Sequence, residues 1–102
     1  MSIEIDGIQF EGPYTDINRL EDRSGVYAIL DQRTDKTILL DAGESSEVRS
    51  RISNHDRKSC WNSHSQGTVS VAVIYTPNLQ QTGRKELEQK IRNKYNPTCG
   101  DR

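Results

Sequence analysis

The sequence predicts a small α/β domain with a mainly antiparallel sheet, and three observations carry that expectation. Three runs, "GVYAILDQ", "TILLDAG" and "TVSVAVIYT", have the β-branched and aromatic content of strands. "SIEIDGIQF" alternates apolar and polar residues around Asp6-Gly7, a two-residue hairpin signal. "RKELEQKIRNKY" places Leu87, Ile91 and Tyr95 at i, i+4 and i+8, one face of a helix that Pro97 ends.

Taken in order, the chain opens with the hairpin. "GPYTDINRLEDRSG" reads as a turn at Gly12-Pro13 and then a short helix around Ile17 and Leu20. The strand beginning at Gly25 and the strand ending at Gly43 are joined through "RTDK", and a hairpin is the simplest connection. Ser45 or Ser46 can cap the next helix, with Glu44 and Glu47 near its positive end. Val48, Ile52 and His55 lie at i, i+4 and i+7 on one helical face, and Arg51 borders it one turn before His55. "DRKSCWNSHSQG" is polar around an isolated Trp61 and reads as a loop, and Pro77 to Gly83 as a second one.

Composition narrows the classes. A chain of 102 residues supports one modest core, and with 31% apolar residues that core must be thin. No apolar stretch approaches the ~20 residues a spanning helix needs, and the N-terminus lacks a signal-peptide pattern, so a soluble, cytoplasmic protein with no membrane contact is expected. In that compartment Cys60 and Cys99 are expected as thiols; nothing in the sequence requires a bond between them.

The net charge of -1 averages two unlike parts. Residues 1–23 hold six acids against Arg19 and Arg23, leaving nine acids against twelve bases downstream. Arg49, Arg51, Arg57 and Lys58 form one basic cluster; Arg84, Lys85, Lys90, Arg92 and Lys94 form another. These are either solvated helix faces or a local anion-binding surface. Trp61 beside Arg57 and Lys58 either stacks on a base or closes the edge of the core. Glu88 follows Leu87 by about 100° of helix rotation, so it borders the buried stripe and either leans over the sheet edge or pairs with Arg84 or Arg92 one turn away. His55, Cys60, His64 and Cys99 do not reproduce the paired-ligand spacing of zinc sites and are expected to be metal-free loop residues.

"GVY" at Gly25–Tyr27, "DAG" at Asp41–Gly43, then "RSRISNH" and a late "ELEQKIRNKYNP" resemble the GIY-YIG nuclease family in order and spacing. The resemblance covers about residues 24–100, which sets a GIY-YIG-like domain at 24–102 apart from a lead-in segment at 1–23. It implies a three-stranded antiparallel sheet flanked by helices, with the N-terminal hairpin as an addition. It also implies that Tyr27 orients or deprotonates the attacking water, that Arg51 contacts the phosphate, and that His55 hydrogen-bonds near the reacting groups. Glu88 would bind one divalent ion, Mg2+ or Mn2+.

The chain departs from the family pattern at three places. Asp41 replaces the second tyrosine, as a second metal ligand, a general base or a mark of a weakened enzyme. Glu44 stands where a basic residue is common. The asparagine often found after the last helix would fall near Gly100, with Asn96 close by.

The activity this implies is metal-dependent hydrolysis of DNA phosphodiesters with low intrinsic sequence specificity. Arg49, Arg57, Lys58, Trp61 and Arg84 would provide nucleic-acid contacts. RNA or branched DNA are alternative substrates, and a protein partner or homodimer could supply specificity. The alternative is a domain that keeps the fold, has lost catalysis and binds nucleic acid or a protein.

Overall fold

β3 (Gly25–Gln32) is buried over nearly its whole length because other elements cover both its faces and both its edges. In the computed structural model, which describes residues 2–99, it pairs antiparallel with β4 (Thr37–Ser45) on one side and β5 (Thr68–Tyr75) on the other. β1 (Ser2–Ile5) and β2 (Ile8–Tyr14) complete a five-stranded antiparallel sheet in the order β1-β2-β5-β3-β4. Gly100 lies outside the described residues. No helix is long and apolar enough to cross a membrane among the described residues.

The α+β class and the antiparallel sheet are as expected, but the sheet has five strands where three were expected. The N-terminal hairpin continues it through β2–β5 pairs at Glu11–Val73 and Tyr14–Val71. Its turn is the one read from sequence: Asp6 and Gly7 both have positive φ, +53° and +75°, the backbone of a type I′ turn. Gly12-Pro13, expected to end the strand, lies inside β2 instead. Proline donates no ladder hydrogen bond, and the register to β5 shifts between Glu11 and Tyr14.

Two apolar layers follow from the alternation along β3. Tyr27 and Ile29 face Val48 and Ile52 of α1 (Val48–Ser53) and Trp61 of α2 (Lys58–His64). Val26, Ala28 and Leu30 face Ile91 and Leu87 of α3 (Gln81–Tyr95). The short helix expected around Ile17 and Leu20 is a 3-10 helix at Ile17–Arg19, capped by Asp16, whose carboxylate accepts from the Asn18 N–H.

Three local expectations change. Neither Ser45 nor Ser46 caps α1. The Asp22 carboxylate accepts from the Ser50 N–H at 2.8 Å and the Ser50 hydroxyl at 2.6 Å, so the helix start is satisfied from a distant segment. α2 occupies the stretch expected to be a loop, anchored by the single buried side chain of Trp61. Cys60 and Cys99 form a disulfide rather than two thiols. It joins α2 to the segment after α3, which returns along β4 with the Cys99 N–H donating to the Leu40 carbonyl.

Candidate active site

Tyr27 is placed by the sheet. It pairs with Gly43 on β4, and its ring lies across that glycine so closely that a Cβ there would coincide with the phenol end. The glycine of "DAG" is therefore required by the tyrosine of "GVY". Tyr27 is 1% exposed, and burial pushes its hydroxyl up to about 12. The Arg51 guanidinium, within hydrogen-bonding reach of the hydroxyl, pulls the other way but does not win. At neutral pH Tyr27 is therefore a neutral O–H donor.

His55 lies beyond the end of α1, past the cap residue Asn54, and not on its face. It is buried because Trp61 packs against it at 4.7 Å between ring centroids and Tyr27 meets its edge at 6.1 Å. Its Nδ1 accepts the Arg57 N–H at 3.1 Å, which leaves the ring proton on Nε2. That buried Nε2–H has no partner among the described residues. Burial first, then the positive charges of Arg51 and Arg57, lower the imidazole to about 4, so it is neutral at physiological pH. Arg51 remains exposed on α1, its only ion pair among the described residues being a 3.8 Å contact to the exposed Asp56.

Asp41 is fully buried and held by five hydrogen bonds. Its Oδ2 accepts from Arg57 Nε at 2.7 Å and Trp61 Nε1 at 2.9 Å. Its Oδ1 accepts from the Ala42 N–H at 2.8 Å, Arg92 Nη2 at 3.0 Å and Arg57 Nη2 at 3.3 Å. Arg92 Nη2 also donates to the Ala42 carbonyl, and its Nε donates to Glu88 Oε2 at 2.7 Å. A carboxylate has about four lone-pair sites, so Asp41 has none left for a metal or a water. Both expected roles for it, ligand and general base, are corrected: it is the hub on which β4, α2 and α3 meet.

Glu88 is one-fifth exposed, with Oε2 given to Arg92. Glu44 accepts from Arg84 Nε at 2.9 Å and ties β4 to the start of α3. Of the expected nucleic-acid contacts, three are engaged inside the protein: Trp61 is 4% exposed and bonded to Asp41, Arg57 is bonded to Asp41, and Arg84 is bonded to Glu44 and the Leu79 carbonyl. Arg49 is exposed, and Lys58 is partly exposed with its ammonium on the Ser53 carbonyl. Sequence reasoning did not assign Arg92 to the site, although its position one turn after Glu88 signalled the pairing.

The structure thus brings Tyr27, Arg51 and His55 near one another, and among the described residues it connects Glu88 to them through Arg92, Asp41 and Arg57. Phenol, guanidinium and imidazole N–H groups around one point can bind the oxygens of an anion.

No family model matches the sequence, and no curated protein does. Among solved structures, the chain is similar to the GIY-YIG N-terminal endonuclease domain of UvrC from Thermotoga maritima, a point mutant bound to its catalytic divalent cation. The TM-score is 0.60 at 14% identity, over 84% of this chain and 91% of that one. At that identity the likeness concerns the path of the backbone, and on that ground this chain has the GIY-YIG endonuclease fold.

Proposed function

We propose that the chain is an endonuclease that binds a phosphodiester of DNA against Tyr27, Arg51 and His55 and hydrolyses it with a divalent cation. The observation that carries this reading is the buried Nε2–H of His55, without a partner among the described residues, beside Tyr27 and Arg51. A buried donor without an acceptor costs about 1–3 kcal/mol, a cost that a ligand oxygen would relieve. Arg51 offsets negative charge gathering on the phosphoryl oxygens, while the Tyr27 and His55 protons hold the group in orientation. Arg49 on α1 is exposed and Lys58 on α2 is partly exposed, and both would contact neighbouring phosphates, which carry no sequence information.

A divalent cation fits one position. Asp41 is saturated, so Glu88 is the carboxylate that would hold Mg2+ or Mn2+, through the oxygen not given to Arg92. Magnesium is ordinarily held by one or two carboxylates, with waters and phosphate oxygens completing its shell. Bound there, the ion supplies the polarised phosphate and acidified water that neither Tyr27 nor His55 supplies. Arg92 competes with it for Glu88, which favours weak ion binding.

That competition is the specific observation behind a second reading: a GIY-YIG-fold domain that binds nucleic-acid phosphate with catalysis reduced or lost. Incubation with single-stranded, duplex and branched DNA and Mg2+ or Mn2+ separates the two. The first reading expects ion-dependent cleavage that Glu88→Ala abolishes. Binding without cleavage supports the second, and neither binding nor cleavage refutes both.

A further inference from the structure

Beside the Asp41 hub lies a cluster that the nuclease reading does not use. His64 follows Cys60 by one turn of α2, and its Nδ1 is 3.5 Å from Cys60 Sγ and 4.0 Å from Cys99 Sγ. The three donor atoms lie within 4.8 Å of one another. Tetrahedral zinc binds sulfur at ~2.3 Å and imidazole nitrogen at ~2.0–2.1 Å, which places nitrogen and sulfur ligands ~3.5 Å apart. The imidazole is therefore already at ligand distance from Cys60 Sγ and within about 0.5 Å of it from Cys99 Sγ. Only the two sulfurs are too close for a metal, because they share a bond.

We propose that Cys60, Cys99 and His64 form a binding site for a soft divalent cation such as Zn2+ once the disulfide is reduced, with water in the fourth position. Reduction by a phosphine breaks the S–S bond. The phosphine gives up two electrons and takes oxygen from water to become its oxide, and the two protons of that water end on the sulfurs. Zn2+ then displaces both thiol protons and binds the thiolates. His64 Nδ1 now contacts the Cys60 carbonyl at 3.0 Å; as a ligand it turns from that contact, and its proton moves to Nε2. His64 is exposed, so this rotation disturbs no packing. Linear spacing could not show this grouping, because Cys99 reaches α2 only through the fold, while His55 packs against Tyr27 and Trp61.

The location gives the site a consequence. Cys60 precedes Trp61, whose indole donates to Asp41, and the Cys99 N–H donates to the carbonyl just before Asp41. Disulfide and metal are thus alternative clamps on the same two segments beside the hub.

Titrating Co2+ into the whole protein, with and without prior phosphine treatment, tests the proposal. The reduced protein is expected to take one equivalent and develop a thiolate-to-cobalt charge-transfer band in the near ultraviolet, which Zn2+ displaces; the oxidised protein develops none. Cys60→Ser and Cys99→Ser each remove the band. His64→Ala, at an exposed position that leaves the fold intact, weakens binding by at least the ~10-fold that an outer-shell partner is worth. No band in the reduced protein, or equal affinity in His64→Ala, overturns the proposal.

Discussion

The α1 side and the α3 side of this site are built on opposite terms. On the α1 side Tyr27, Arg51 and His55 keep donors in hand: Arg51 is exposed, and the His55 Nε2–H has no partner among the described residues. On the α3 side the acids are spoken for: Asp41 accepts five hydrogen bonds, Glu44 holds Arg84, and Glu88 holds Arg92. On the proposed reading, the first side would receive a phosphate, while the second side is scaffolding. On that reading, the Glu88 oxygen not given to Arg92 would join the two.

The largest expected effect breaks the scaffold half. Asp41→Ala leaves Arg57 and Arg92 without their shared counter-ion, and loss of about 3–5 kcal/mol in urea unfolding is expected. Next is the receiving half. Arg51→Ala should change stability by less than about 0.5 kcal/mol, since the side chain is exposed. Steady-state cleavage should nonetheless fall roughly 100-fold, the scale of one lost donor to a charged transition state.

A pH titration of stability sharpens the same contrast. His55 is lowered from 6.5 to about 4 in the folded protein, so below pH 6.5 the unfolded chain binds the extra proton first. Its contribution is present above pH 6.5 and is lost as pH falls toward 4. In His55→Gln the slope in that window should flatten. The slope below it, where Asp31 is lowered from 3.8 to about 2 chiefly by the Gln66 N–H, should persist. A comparably small effect on stability, about 0.5 kcal/mol or less for a one-turn pair, is expected at Glu88→Gln, together with loss of ion-dependent cleavage.

How much of this was readable in the sequence follows from the range of the interactions. The Asp6-Gly7 turn, the strands β3, β4 and β5 and the helix α3 are written in local pattern, and so is the Glu88–Arg92 pair. α2 was missed because "DRKSCWNSHS" has no apolar stripe; the helix is held by Trp61 and the Cys60–Cys99 bond, both tertiary. Asp41 was misread for the same reason. A carboxylate in the place of a tyrosine looks like a new ligand until Arg57 and Arg92, 16 and 51 residues away, are seen to close on it. Family spacing groups Tyr27, Arg51 and His55, but the protonation of Tyr27 and His55 depends on burial, which spacing does not report.

The receiving half can be examined directly at the imidazole. In 1H–15N spectra of the His55 ring, adding dimethyl phosphate should shift the Nε2–H resonance saturably, and Arg51→Ala should remove that response. An Nε2–H signal indifferent to the phosphodiester at saturating concentration would contradict the account.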